Sequence, residues 1–205
     1  VLILPLEASW RAHRTYVHGT DLYLLLIEAM GRAAPGTPLG GIRINLRKSL
    51  QSQPDYAFAQ AGEAMPSNAM GDFAVTAEGA PGSGWICASQ RPVTRRVAYD
   101  EDVIRAGIEF QDAAAFLGQA VPCQPIEAVL SLGVAINNHL SPPGGKRWML
   151  GRMTFLRPLA PPDVQGLKVE RRQLLGGQMS RLAVSNAGQP LGELMFSLSD
   201  TPSSS

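Results

Sequence analysis

His18 stands where a reacting group is useful, in Tyr16-Val17-His18-Gly19, a turn leading from an extended stretch into a helical one. An imidazole at such a turn can act as a general base, because its ordinary pKa lies near neutrality. Two carboxyl groups complement it. Glu28 in Leu25-Leu26-Ile27-Glu28-Ala29-Met30 and Glu127 in Gln124-Pro125-Ile126-Glu127-Ala128-Val129 each lie within an otherwise apolar run. A carboxylate is costly to bury unpaired and then holds a proton more readily, which is what a general acid needs. The plainer alternatives are that His18 caps or packs a turn and that each acid faces solvent or caps a neighbouring strand. His13 shares the extended stretch with His18; on a continuous strand their rings point to opposite faces, so at most one serves a site. His139, in Asn137-Asn138-His139, reads as part of a helix C-terminus with favourable dipole placement.

The two acids stand in one phrase that the chain of 205 residues says twice. Self-similarity at long range reads as duplication of one helix-then-sheet unit, giving a first unit over 1–91 and a second over 92–205. The first is expected to run extended from Leu2 to Val17, then helical from a Thr20 or Asp21 cap to Met30, with Gly31 ending the helix. Strand candidates follow at 41–50, 55–61, 72–77 and 85–91. The second unit opens extended over 93–99, with Asp100-Glu101-Asp102 starting a short helix. Its main helix spans 125–140 and is broken by Ser141-Pro142-Pro143-Gly144-Gly145. Strands at 147–158, 166–174, 178–185 and 190–198 then form a meander joined through Gly176-Gly177 and Asn186-Ala187-Gly188-Gln189. Thr201 to Ser205 is a polar tail expected to fray. The resulting class is α+β: two antiparallel sheets, each wrapping a central helix and protecting its edges against the other.

Hydrophobic residues make up 45% of the sequence and charged residues 17%, too apolar for a disordered chain. A formal net charge of +1 supplies no global field for nucleic acid or a membrane surface. No stretch approaches the ~18 apolar residues of a membrane span. Cys87 and Cys123 have no neighbouring ligand pattern, so neither zinc nor a disulfide framework is expected, and a cytoplasmic setting follows. Position 1 is Val, which leaves a removed targeting segment open. No nucleophile elbow, P-loop or dinucleotide fingerprint occurs, and neither cofactor nor metal is expected.

Phe116-Leu117-Gly118-Gln119-Ala120-Val121-Pro122, then Ile126-Glu127-Ala128 and Lys146-Arg147-Trp148-Met149-Leu150-Gly151-Arg152-Met153-Thr154-Phe155-Leu156-Arg157-Pro158-Leu159, together resemble the hot-dog superfamily. The style is closest to β-hydroxyacyl-carrier-protein dehydratases, where a Phe-x-Gly turn leads to a buried helix with a Glu and a later strand reaches an Arg-Pro corner. The resemblance covers 93–199 directly and 10–91 through the repeat. It implies a double hot-dog, a pseudo-dimer acting on acyl-CoA or acyl-carrier-protein thioesters, with further self-assembly left open. It also implies one working site, in which His18 is the base and Glu127 the acid or water-orienting group, whereas the mirror pair of Gln119 and Glu28 lacks a base. The amides following Gly19 and Gly118 would polarise the thioester carbonyl. From their own chemistry, Arg95 and Arg96, with Arg91, Arg43 and Arg47, could meet the phosphates of a CoA or phosphopantetheine arm, the plainer alternative being that charges at strand ends are merely solvated. The implied activity is dehydration of a 3-hydroxyacyl thioester or thioester hydrolysis, with a non-catalytic acyl-binding or assembly module as the alternative. A shorter likeness of Gly188–Phe196 to the last strand of chorismate-type lyases covers too little chain to lead.

Overall fold

A computed structural model describes residues 2–59, 62–78, 82–119 and 121–200. The tail at 201–205 and the end of the strand expected at 55–61 lie outside the described residues. Contacts gather into two compact units, Val1–Asp100 with Leu156–Pro158, and Glu101–Phe155 with Leu159–Ser205.

In the first unit the expected extended run is broken. β1 (Leu2–Pro5) and β2 (Trp10–Arg11) are separate, and Ala12 turns the chain with a φ of 49°, after which the Arg14 N–H donates to Arg11 O at 3.0 Å. This turn removes the strict alternation between His13 and His18. Helix α1 (Gly19–Ala33) begins directly after His18 and passes through Gly31. A single glycine costs a helix only about 1 kcal/mol, and burial of Leu26, Ala29 and Met30 outweighs that. The stop comes from Pro35, which disfavours helical backbone at the C-cap Ala34. Strands β3 (Leu39–Leu46), β4 (Ser52–Phe58), β5 (Ala69–Ala77) and β6 (Ser83–Pro92) follow, and β7 (Arg96–Val97) pairs in parallel with β2. The antiparallel order in this unit is β1-β4-β6-β5-β3. α1 is fastened to its sheet where the buried Tyr56 hydroxyl of β4 donates to Leu22 O at 2.6 Å.

The second unit starts with the short helix α2 (Glu101–Ala106) and a hairpin, β8 (Ile108–Gln111) with β9 (Ala114–Leu117), turning at Asp112 with a φ of 52°. Helix α3 (Pro125–Leu140) occupies the span that sequence assigns to it. β10 (Lys146–Phe155), β11 (Leu167–Leu175), β12 (Met179–Asn186) and β13 (Gln189–Asp200) complete the unit in the order β10-β13-β12-β11-β9-β8. Gly133 lets α3 lie close on the sheet: a Cβ there would sit 3.0 Å from the Phe196 ring and 3.1 Å from Leu194.

The two units share a helix followed by four strands, yet their last strands are ordered differently. In the second, positive φ at Gly176 and Gly177, and again at Ala187 and Gly188, builds tight turns that make consecutive strands neighbours. In the first, the long link over 59–68 lets β5 pass β4, so β6 lies between them.

Candidate active site

His18 is the N-cap residue of α1, with extended backbone (φ −76°, ψ 149°), and its carbonyl accepts the Leu22 N–H at 3.1 Å. Its ring does not cap the helix. Instead Nδ1 lies 2.9 Å from Oγ1 of Thr20, which is fully buried. The half-buried ring lies 6.0 Å from that of Tyr99, over which the guanidinium of Arg11 sits at 4.7 Å and that of Arg14 at 5.6 Å. Burial, then the charges of Arg14 and Arg11, push the His18 pKa down to about 3. The ring is therefore neutral at physiological pH.

Arg11 is itself held. Its guanidinium grips Asp21, the third residue of α1, with Nε 2.9 Å from both carboxylate oxygens. By type and position Thr20 and Asp21 read only as cap candidates; the structure gives one to the His18 ring and the other to Arg11. β2 is placed by β7, whose Arg96 donates to the carbonyls of Ala12 and Arg14. Gly19 opens α1, where the first helical N–H groups lack intrahelical acceptors.

The remaining expected residues fare differently. Glu28 lies late in α1, exposed, with Arg32 at 3.8 Å one turn on. Glu127 lies in the first turn of α3, half-buried, and accepts the Gln124 N–H at 2.9 Å. The repeated phrase thus falls on opposite ends of the two helices, and the first-turn acid of α1 that corresponds to Glu127 is Asp21. Gly118 opens no helix: it follows β9, its N–H donates to Gly107 O at 2.9 Å, and α3 begins only at Pro125. A Cβ at Gly118 would run into the Glu109 carboxyl group. Gln119 is exposed beside it.

Arg91 is tied to Asp55 at 2.8 Å and to the carbonyls of Leu6 and Pro54. Arg96 is spent on β2, as described. Arg95 is exposed, has no ion-pair partner among the described residues, and lines a pocket of about 170 Å³ with Ser9, Gln53, Arg91 and Thr94. Arg47 pairs with Asp72 at 3.2 Å. Among the described residues no group of three or more His, Cys, Asp and Glu side chains forms a metal site, and no helix is long and apolar enough to cross a membrane.

No family model matches the chain, and no curated protein matches it. The solved structures it is similar to include a protein with the hot-dog fold, thioesterases and dehydratase domains. A hot-dog-fold protein of unknown function from Alicyclobacillus acidocaldarius is 10% identical with a TM-score of 0.46, over 96% of this chain and 90% of that one. The dehydratase domain of PpsC from Mycobacterium tuberculosis, in complex with C12:1-CoA, is 12% identical with a TM-score of 0.47, over 90% and 85%. An acyl-CoA thioesterase II from Mycobacterium marinum is 12% identical with a TM-score of 0.40, over 89% and 88%.

Proposed function

We propose that the chain is an acyl-thioester-processing enzyme of double hot-dog layout, in which two fused units stand in for a dimer. His18 meets the thioester, and the Gly19 amide at the start of α1 supports the carbonyl oxygen. Glu127 supplies the carboxyl group that orients water or moves a proton. Arg95 takes the phosphate of CoA or of a carrier-protein arm.

The observation that carries this reading is the His18 ring itself: it stands at a helix start, leaves the helix uncapped and is held neutral by its surroundings. Hydrolysis leads. A ring whose pKa is about 3 is a weak proton acceptor, which disfavours the part of base in dehydration, whereas hydrolysis asks for a polarised carbonyl and an oriented water. In that reaction water adds to the carbonyl carbon, the C–S bond breaks, and a carboxylic acid and a thiol leave.

The test uses the whole chain with saturated acyl-CoA and 3-hydroxyacyl-CoA thioesters of several lengths. Thiol release reports hydrolysis, and ultraviolet absorbance of a conjugated enoyl thioester reports dehydration. Turnover that survives both His18→Ala and Glu127→Ala sinks the site assignment. Acyl-thioester binding by the parent protein with no turnover of any substrate supports a non-catalytic acyl-binding module instead.

A further inference from the structure

The contact between His18 and Thr20 has a direction that the heavy atoms alone leave open, since either group can supply the hydrogen. The surroundings decide it. Thr20 is fully buried, and among the described residues its hydroxyl has no partner other than His18 Nδ1. If Nδ1 carried the hydrogen, the threonine hydroxyl hydrogen would be buried without an acceptor, at a cost of about 1–3 kcal/mol. If the hydroxyl donates to Nδ1, both groups are satisfied. A doubly protonated ring is opposed by the Arg11 and Arg14 guanidinium groups grouped with it around Tyr99. A neutral imidazole that accepts at Nδ1 carries its hydrogen on Nε2, and among the described residues Nε2 has no hydrogen-bond partner.

We propose that Thr20 is a positioning residue that fixes His18 as its Nε2–H tautomer, so that the ring meets the thioester as a hydrogen-bond donor to the carbonyl oxygen. This rests on the acyl-thioester reading of the site. The hydrogen stays on Nε2 while negative charge grows on the oxygen, no bond forms to the ring, and the proton removed from water passes to a carboxylate, the part given to Glu127. Thr20 acts only through His18. Its hydroxyl oxygen lies 2.9 Å from Nδ1 because the two residues are the N-cap and the second residue of one helix turn.

The experiment records two-bond ¹H–¹⁵N correlations of the full chain labelled at histidine, near neutral pH, for the parent protein, Thr20→Ser and Thr20→Val. The expected spectrum has the His18 hydrogen on Nε2 and a hydrogen-bonded acceptor shift at Nδ1. That shift is kept in Thr20→Ser and lost in Thr20→Val. On any thioester the protein turns over, Thr20→Val is expected to lower kcat by about tenfold, the worth of one hydrogen bond, with KM little changed and with rescue by Thr20→Ser. A hydrogen on Nδ1 in the parent protein overturns the proposal without the need for any variant. So does a Thr20→Val spectrum with the parent's Nδ1 shift. Absence of thioester turnover in the parent overturns the functional reading and leaves the tautomer assignment to stand or fall on the spectra.

Discussion

Arg11 and Asp21 close β2 onto the first turn of α1. The guanidinium Nε lies 2.9 Å from both carboxylate oxygens and Nη2 lies 2.8 Å from Oδ1, with the two side chains only 10% and 14% exposed. The same guanidinium lies over Tyr99 and helps to hold His18 neutral, so one contact joins the fold of this unit to the state of its candidate catalytic ring.

Removing one partner of so enclosed a pair leaves a charge without compensation. Arg11→Met is expected to destabilise the chain by about 3 kcal/mol, read from urea unfolding, and to raise the His18 pKa by taking away one of its neighbouring cations. Arg11→Met with Asp21→Leu is expected to recover most of the loss, because it replaces the pair by apolar groups and leaves no orphan. Equal stability of the single and double variants would show that the ion pair does not hold β2.

The pH dependence of stability follows from the same ring. His18 is depressed to about 3 from an ordinary 6.5 by burial, then by Arg14 and Arg11, so on acidification the unfolded chain takes up a proton that the folded chain refuses. The contribution is absent above about pH 6.5, and stability is lost progressively as pH falls from there towards 3. The full loss is roughly 5 kcal/mol. His18→Gln should flatten that part of the profile, so the difference between the two unfolding curves isolates it. A difference that does not change between pH 7 and pH 4 contradicts a depressed His18. In kinetics, a donor ring predicts no acid limb near pH 6.5 in kcat/KM attributable to His18.

The helix-then-sheet plan of both units, α3 and the C-terminal meander were legible because they are written locally. Pro125 and Ser141-Pro142 bound α3, and paired positive-φ residues at Gly176-Gly177 and Ala187-Gly188 force hairpins. The strand order of the first unit was not legible, since the link over 59–68 is long enough to serve several pairings and nothing in its composition chooses one. The candidate site was half legible. His18 stood out by type and place, but Thr20 and Asp21 look like ordinary cap residues, and their contacts to His18 and Arg11 depend on the fold of the turn at Ala12. The repeat misled in one respect: Ile-Glu-Ala is helical in both copies, yet nothing in three residues says which end of a helix they occupy.

That difference of position separates the two acids experimentally. Glu127→Ala removes the acceptor of the Gln124 N–H at the start of α3 and is expected to cost about 1 kcal/mol in stability. Glu28→Ala loses an exposed pair with Arg32 at 3.8 Å and should change stability by less than about 0.5 kcal/mol. Thermal unfolding of the two variants checks the order. Were Glu127→Ala neutral in stability but inactive, its carboxyl group would be serving chemistry and not the helix end.

Asn137 makes the sharpest case for a buried group that stability alone does not explain. It is fully enclosed on α3, one turn beyond Gly133 and one turn before Ser141, and neither its amide nitrogen nor its oxygen has a partner among the described residues. Gly133 faces Phe196, and Phe196 lies directly opposite Ser180, whose hydroxyl is likewise buried without a partner. Ser141, at the helix end, is held by the Trp148 indole at 3.1 Å and by Arg171 at 2.8 Å. An unsatisfied buried amide costs about 1–3 kcal/mol, and leucine has nearly the same outline with nothing to satisfy. Asn137→Leu is therefore expected to stabilise the chain by about 1 kcal/mol or more, and Asn137→Leu with Ser180→Ala by more again. Both are read from urea unfolding with the slope unchanged. A loss of stability in Asn137→Leu would mean that the amide is hydrogen-bonded in solution, which a shifted helix α3 or an enclosed water would supply.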